Sequence, residues 1–152
     1  MTYQIPGNTP LEINKIILDL NGTLTIGGIL VEGVKDRIEK LKQNFSFYLF
    51  SGDTRGNGKR IADELGIKFI YASSGEEKKN ELLKLGPDDC VSIGNGLIDL
   101  EITKLAKLSI VTLQDEGVHT QTLLASDIVV PSILNALDLF IDSNRLTATL
   151  RR

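Results

Sequence analysis

At 152 residues the chain is long enough for one well-buried core, and its length and ordinary composition (41% apolar, 24% charged) indicate a single globular domain. A formal net charge of −3 argues against a dedicated nucleic-acid surface. The single cysteine, Cys90, excludes an intrachain disulfide or a multi-cysteine metal cluster and fits a reducing cytoplasm.

No apolar run is long enough to span a bilayer, and the polar, Pro-containing start is unlike a signal peptide. The expectation is one cytoplasmic domain over 1–152, with 1–13 as a peripheral N-terminal segment. Residues 15–19 (KIILD) are nearly all apolar, the pattern of a strand covered on both faces. Over 34–43, Val34, Ile38 and Leu41 recur at helical spacing. The aromatic-rich run 45–50 (FSFYLF) reads as a strand. Residues 59–66 predict a helix closed by Gly66, 68–72 a strand, and 76–86 a helix closed by Gly86. Next come a strand over 90–94 that opens on Cys90, a helix over 97–106 and a strand over 108–113. A short helix at 120–125 and a strand at 127–130 follow. Ser132 is placed to cap a last helix to about Ile141, with 145–151 continuing or restarting it.

This order is that of a doubly wound α/β domain, with a mainly parallel sheet and helices on both faces. Ligands in such folds bind beyond the carboxyl ends of the strands. The residues to watch are therefore Asp19 to Thr23, Ser51 to Asp53, Ser73 and Ser74, and Gly94 to Asp99. The stretch IILDLNGTLT (16–25) has two readings. Asn21-Gly22 between apolar residues is a strong two-residue hairpin signal. Alternatively, a buried strand ends at Asp19 and a loop closes around its carboxylate. Other motif-like stretches fail on spacing. In SGDTRGNGK (51–59) Gly52 lies one residue too far from Gly58-Lys59 for a phosphate-binding P-loop, and Arg60 replaces the hydroxyl residue. In GNGLID (94–99) Asp99 stands where a dinucleotide fingerprint needs its third glycine. Taken singly, Ser51 reads as a helix cap and Lys78 as a solvated helix residue. His119, the sole histidine, reads as a loop residue, since one histidine supports neither a triad nor a zinc site.

Taken together, DLNGTLT (19–25), FSGDTRG (50–56), EEKKNELLKLG (76–86) and IGNGLID (93–99) resemble, in order, the four motifs of the haloacid dehalogenase superfamily. Within it they are most similar to the phosphorylation domain of P-type ATPases, and ASDIVVPSILNALDLF (125–140) resembles the tail of that domain. Only residues 26–49 separate the first two motifs, so the resemblance is to small, soluble P-type ATPase-like phosphatases without a large cap. It implies a Mg2+-dependent phosphatase or phosphotransferase with Asp19 as nucleophile, forming an aspartyl phosphate. Ser51 and the Gly52 amide would bind phosphoryl oxygens, and a lysine would balance charge. Lys78 fits better than Lys79, because Leu82 and Leu85 then fall on the apolar face as in the family pattern. Asp19, the Asn21 carbonyl and the Asn95 side chain would be the inner magnesium ligands, with Asp99 behind them orienting a metal-bound water or the lysine.

Two departures stand out. Asn21 occupies the place where most phosphatases of the superfamily carry a second aspartate, the general acid–base, which the P-type ATPases also lack. Positioned acid–base catalysis is typically worth about 10²- to 10⁴-fold. Asn95 stands where an aspartate usually contacts the metal, and a neutral amide there implies weaker magnesium binding. Both imply a slow phosphatase, with a non-catalytic phosphate- or partner-binding regulatory module as the alternative. The expected partners are a phosphorylated small molecule or a phosphoprotein, with no nucleic acid and no membrane; an open site is also compatible with an oligomer.

Overall fold

The computed structural model describes residues 1–53 and 56–152. The chain opens with a short antiparallel ribbon, β1 (Thr2–Tyr3) against β2 (Leu11–Glu12), and then enters the central strand β3 (Lys15–Leu18). A small hairpin follows, β4 (Thr25–Ile26) and β5 (Ile29–Leu30). Next come α1 (Val34–Leu41), β6 (Ser46–Ser51), α2 (Gly58–Leu65), β7 (Lys68–Tyr71) and α3 (Gly75–Leu85). The second half runs β8 (Cys90–Gly94), α4 (Leu100–Leu105), β9 (Leu108–Thr112), α5 (Thr120–Ala125), β10 (Ile128–Val130), α6 (Ile133–Ile141) and α7 (Ser143–Leu150).

Six strands form one sheet in the order β10-β9-β8-β3-β6-β7, and every pairing in it is parallel. The chain builds outward from β3 through β6 and β7, then returns to the other side of β3 with β8. The topological switch therefore lies between β3 and β8, where an open α/β sheet leaves its ligand crevice. In β3 the pleat sends Ile16 and Leu18 to one face and Ile17 to the other, all fully buried. Phe47 and Leu49 of β6 join the first face, and Tyr48 and Phe50 the second. The first face carries the larger core, closed by α1, α6 and α7; the second is covered by α3 and α4.

Local signals place the ends of the elements. Gly66, at φ 64°, ends α2 in the left-handed conformation that glycine adopts without strain. Ser74 caps α3 by accepting from the Glu77 amide, and Ser132 caps α6 by accepting from Asn135. The 97–106 segment is a 3-10 turn over Leu97–Asp99 leading into α4, rather than one helix. The final helical stretch divides at Asp142, whose side chain caps α7. Residues 1–13, expected at the periphery, send Tyr3, Ile5, Leu11 and Ile13 into the larger core. Asn21-Gly22 is not a hairpin turn. The hairpin lies six residues on, where Gly27 and Gly28 both take positive φ (59° and 83°), as a type I′ turn demands. Among the described residues, no helix is long and apolar enough to cross a membrane.

Candidate active site

Asp19 is the first residue beyond β3, and its amide donates to the Ile93 carbonyl of β8. The main-chain ladder thus fixes the carboxylate at the sheet edge, beside the ends of β6 and β8. From α3, Lys78 reaches back into this crevice and is completely buried. Its ammonium donates to Asp19 Oδ1 at 2.6 Å and to Asp99 Oδ1 at 2.7 Å. Lys79 lies beside it on α3, half-buried and outside the site, so Lys78 is the lysine that meets Asp19. The periodicity of 76–86 marks position 78 only as polar; tertiary packing turns it inward.

Asp99 is also fully buried, and both its oxygens are engaged. Oδ1 faces Lys78, while Oδ2 accepts from the Asn95 and Gly96 amides, each at 3.0 Å. It therefore orients both the lysine and the turn after β8. Gly94 is required for this packing: a Cβ there would lie 2.5 Å from Asp99 Oδ2. Burial, and then the charge on Asp99, push the Asp19 carboxyl up to about 6, against the opposing pull of Lys78. Burial alone would lower the Lys78 pKa, but the two carboxylates reverse this and hold it above the ordinary lysine value.

Ser51, the last residue of β6, is buried, and its Oγ accepts from the Asp53 amide at 3.0 Å. The hydroxyl proton is thus left to donate elsewhere. At Gly52 the backbone runs close to the end of β7, where a Cβ would come within 3.0 Å of Ser73 Cα. Asp53 takes a positive φ of 52°, and its carboxylate accepts from the Gly58 amide at the start of α2. Thr54 and Arg55 of the same motif lie outside the described residues.

The loop after Asp19 is folded on itself. The Thr25 amide donates to Leu20 O, and the Gly22 amide to Thr25 O, with Gly22 at φ 81°. Asn95 packs against this loop so closely that a Cβ on Gly22 would lie 2.2 Å from its Nδ2. Its Oδ1 accepts from the Thr23 hydroxyl at 3.2 Å and its Nδ2 donates to Gly117 O at 2.9 Å. A carbonyl can only accept, so this partner fixes which end of the amide faces Gly117. An aspartate could not make the second bond.

Sequence reasoning passed over the segment after β9. Thr112 Oγ1 donates to Gly22 O at 3.3 Å. Gln114 Nε2 donates to Gly22 O at 2.9 Å and to Thr23 O at 2.8 Å, while Gln114 Oε1 accepts from Ile133 at the start of α6. The Gly27 amide donates to Glu116 Oε2. The strand-end rule, carried one strand further to Thr112, points to this segment. Residues 116–119 of this segment and 95–97 line an open pocket of about 350 Å³. His119 accepts from the Gln121 amide as the cap of α5.

Among the described residues, no three His, Cys, Asp or Glu side chains gather as a metal centre. Of the ligands the resemblance implies for a cation (Asp19, the Asn21 carbonyl and Asn95), all are oxygen donors; the Asn95 amide oxygen accepts from Thr23, and Asp99 is engaged by Lys78 and the 95–96 amides. That donor set suits a hard ion that keeps several waters and takes part of its shell from a bound phosphate. Ionised, the buried Asp19–Lys78–Asp99 group carries one net negative charge, so a phosphate needs a further cation to enter.

No family model matches the chain. A protein from Methanocaldococcus jannaschii with no assigned function is 47% identical over 72 residues, covering 47% of this chain and 77% of its own length. A copper-transporting ATPase from Helicobacter pylori is 30% identical over 115 residues, 73% of this chain but only 15% of the ATPase. Among solved structures, 3-deoxy-D-manno-octulosonate 8-phosphate phosphatase from Moraxella catarrhalis, in complex with magnesium, phosphate and the sugar acid, superposes with a TM-score of 0.70. It shares 21% identity, with 91% of this chain and 94% of that one covered. The cobalt-bound phosphatase of the same name from Haemophilus influenzae gives a TM-score of 0.66 at 20% identity, covering 89% and 96%. Among the described residues, only the β4–β5 hairpin and α1 lie between β3 and β6, so no large cap is inserted there.

Proposed function

Since the chain has the haloacid dehalogenase fold and resembles that superfamily in its four strand-end motifs, we propose that it is a magnesium-dependent phosphatase acting through an aspartyl phosphate on Asp19. The observation that carries this reading is the fully buried Lys78 held between Asp19 and Asp99. A structural lysine has little reason to be so deep, and a buried, paired ammonium beside a carboxylate at a ligand crevice suits phosphoryl chemistry.

An Asp19 oxygen attacks phosphorus as the bond to the leaving oxygen breaks, and water later attacks the same phosphorus to release phosphate and the carboxylate. Lys78 offsets charge on the nucleophile and the transferring group. The Ser51 hydroxyl and the Gly52 amide hold phosphoryl oxygens. Asp99 keeps Lys78 and the 95–96 turn in place. Asn21 cannot donate a proton, so the leaving group takes one from solvent and turnover is slow. Asp19, the Asn21 carbonyl and Asn95 would hold magnesium, which when bound neutralises phosphoryl charge. The substrate is a small phosphorylated molecule, its leaving group occupying the open pocket beside Asn95, or an exposed phosphate on a protein.

The test is a panel of acetyl phosphate, para-nitrophenyl phosphate and sugar phosphates, with and without magnesium, beside Asp19→Asn. Slow magnesium-dependent hydrolysis abolished in the variant supports the mechanism; undiminished hydrolysis in Asp19→Asn contradicts it. The commitment of the Asn95 amide to Thr23 and Gly117 favours one alternative, a module that binds phosphate without turning it over. That reading gains if magnesium and phosphate together stabilise the protein while no substrate is hydrolysed.

A further inference from the structure

We infer that Gln114, which lies in none of the four motifs, is a positioning residue for the nucleophile loop. A primary amide has two N–H donors and one carbonyl oxygen, and the structure gives each end of the Gln114 amide to the loop or its support. Its nitrogen serves Gly22 O and Thr23 O, two consecutive carbonyls only three and four residues beyond Asp19. Its oxygen accepts from the Ile133 amide, one of the donors that the first turn of α6 leaves without a helical partner.

The side chain thus ties the loop that follows the nucleophile to a helix packed in the larger core. Two consecutive carbonyls turned toward one nitrogen fix the orientation of both peptide planes, and the positive φ of Gly22 permits it. Asn95 holds the other side of the loop through Thr23. The loop's own bonds, Gly22 to Thr25 and Thr25 to Leu20, close the turn internally but do not anchor it to the rest of the molecule. Gln114 supplies that anchor at both carbonyls, joined at Gly22 O by the Thr112 hydroxyl. The consequence for catalysis rests on the phosphatase reading above: a loose loop misplaces Asp19 and the Asn21 carbonyl relative to Lys78, and misplacement by about 1 Å can cost on the order of 10²-fold.

The experiment uses the full chain as wild type, Gln114→Ala and Gln114→Glu. Glutamate keeps the size and the acceptor for Ile133 but has no N–H for the two carbonyls. Hydrogen exchange is measured over residues 20–25 and over β8, beside kcat and KM for para-nitrophenyl phosphate. Both variants should exchange at least about tenfold faster in the loop, with β8 unchanged, and should lose about 10- to 100-fold in kcat with KM little altered. Unchanged loop exchange overturns the tie, and faster exchange with undiminished kcat overturns the positioning role. Wild-type protein without turnover overturns the phosphatase reading instead, and the exchange comparison still decides the tie.

Discussion

Asp19, Lys78 and Asp99 set two buried carboxylates against one buried ammonium, and their substitutions should separate sharply. Lys78→Met leaves two carboxylates facing each other without a cation and should cost about 3–5 kcal/mol. Asp19→Asn leaves a compensated Lys78–Asp99 pair and should cost far less. Urea unfolding reads both, and equal losses would contradict the account. Asp19 also predicts a pH dependence in metal-free buffer. Its carboxyl holds a proton up to about pH 6 when folded but only to its ordinary 3.8 when unfolded, so the folded state binds the extra proton between these values. Stability should therefore fall as pH rises through that window, and Asp19→Asn should lack the fall. Asn21→Asp should restore a general acid and raise turnover of alkyl phosphates, whose leaving oxygen needs a proton, more than that of para-nitrophenyl phosphate. Equal gains on both would mean that Asn21 is not a lost acid. Because Asn-Gly deamidates, the intact mass of the wild type is checked first.

The elements that build the site were largely legible in the chain, for a definite reason. A parallel strand buried on both faces has to be an apolar run, so β3 and β8 announce themselves, and Asp19 and Gly94 mark their ends. Gly66 and Ser74 likewise carry their own conformational logic. The β4–β5 hairpin was less legible, since two-residue strands are too short for periodicity and Asn21-Gly22 offered a competing turn. The burial of Lys78 is not written in the pattern of α3, where position 78 is one charge among several; only the set of motifs singled it out. The ties of Asn95 and Gln114 to the loop after Asp19 join residues about 70 to 90 positions apart, beyond any local signal. At this scale Gly94→Ala is the informative change. Its Cβ would strike Asp99 Oδ2, so it should destabilise by about 1–3 kcal/mol and loosen Asp99 from Lys78, whereas wild-type stability would contradict that packing.

Across the whole molecule the larger core reaches from β1 to α7, so the opening residues are part of the fold's support. Tyr3 meets Phe140 edge-on at 6.4 Å, and Phe140 meets Phe45 at 5.7 Å, linking the first strand to α6 and the start of β6. The Tyr3 hydroxyl is buried without a hydrogen-bond partner, and its pKa is pushed up to about 12 by that burial. Tyr3→Phe should keep the packing and stabilise by about 1 kcal/mol in thermal or urea unfolding; a loss would mean that the hydroxyl is satisfied. The core holds a sheet whose switch between β3 and β8 presents Asp19 to the crevice, and the proposed mechanism requires that this carboxylate become phosphorylated. Acid-quenched protein, taken after incubation with acetyl phosphate and magnesium, is weighed intact and then mapped by peptide mass. One added phosphoryl group is expected on the peptide containing Asp19 and should be absent from Asp19→Asn. A wild type that hydrolyses acetyl phosphate yet shows no adduct, or an adduct that persists in Asp19→Asn, would contradict the mechanism.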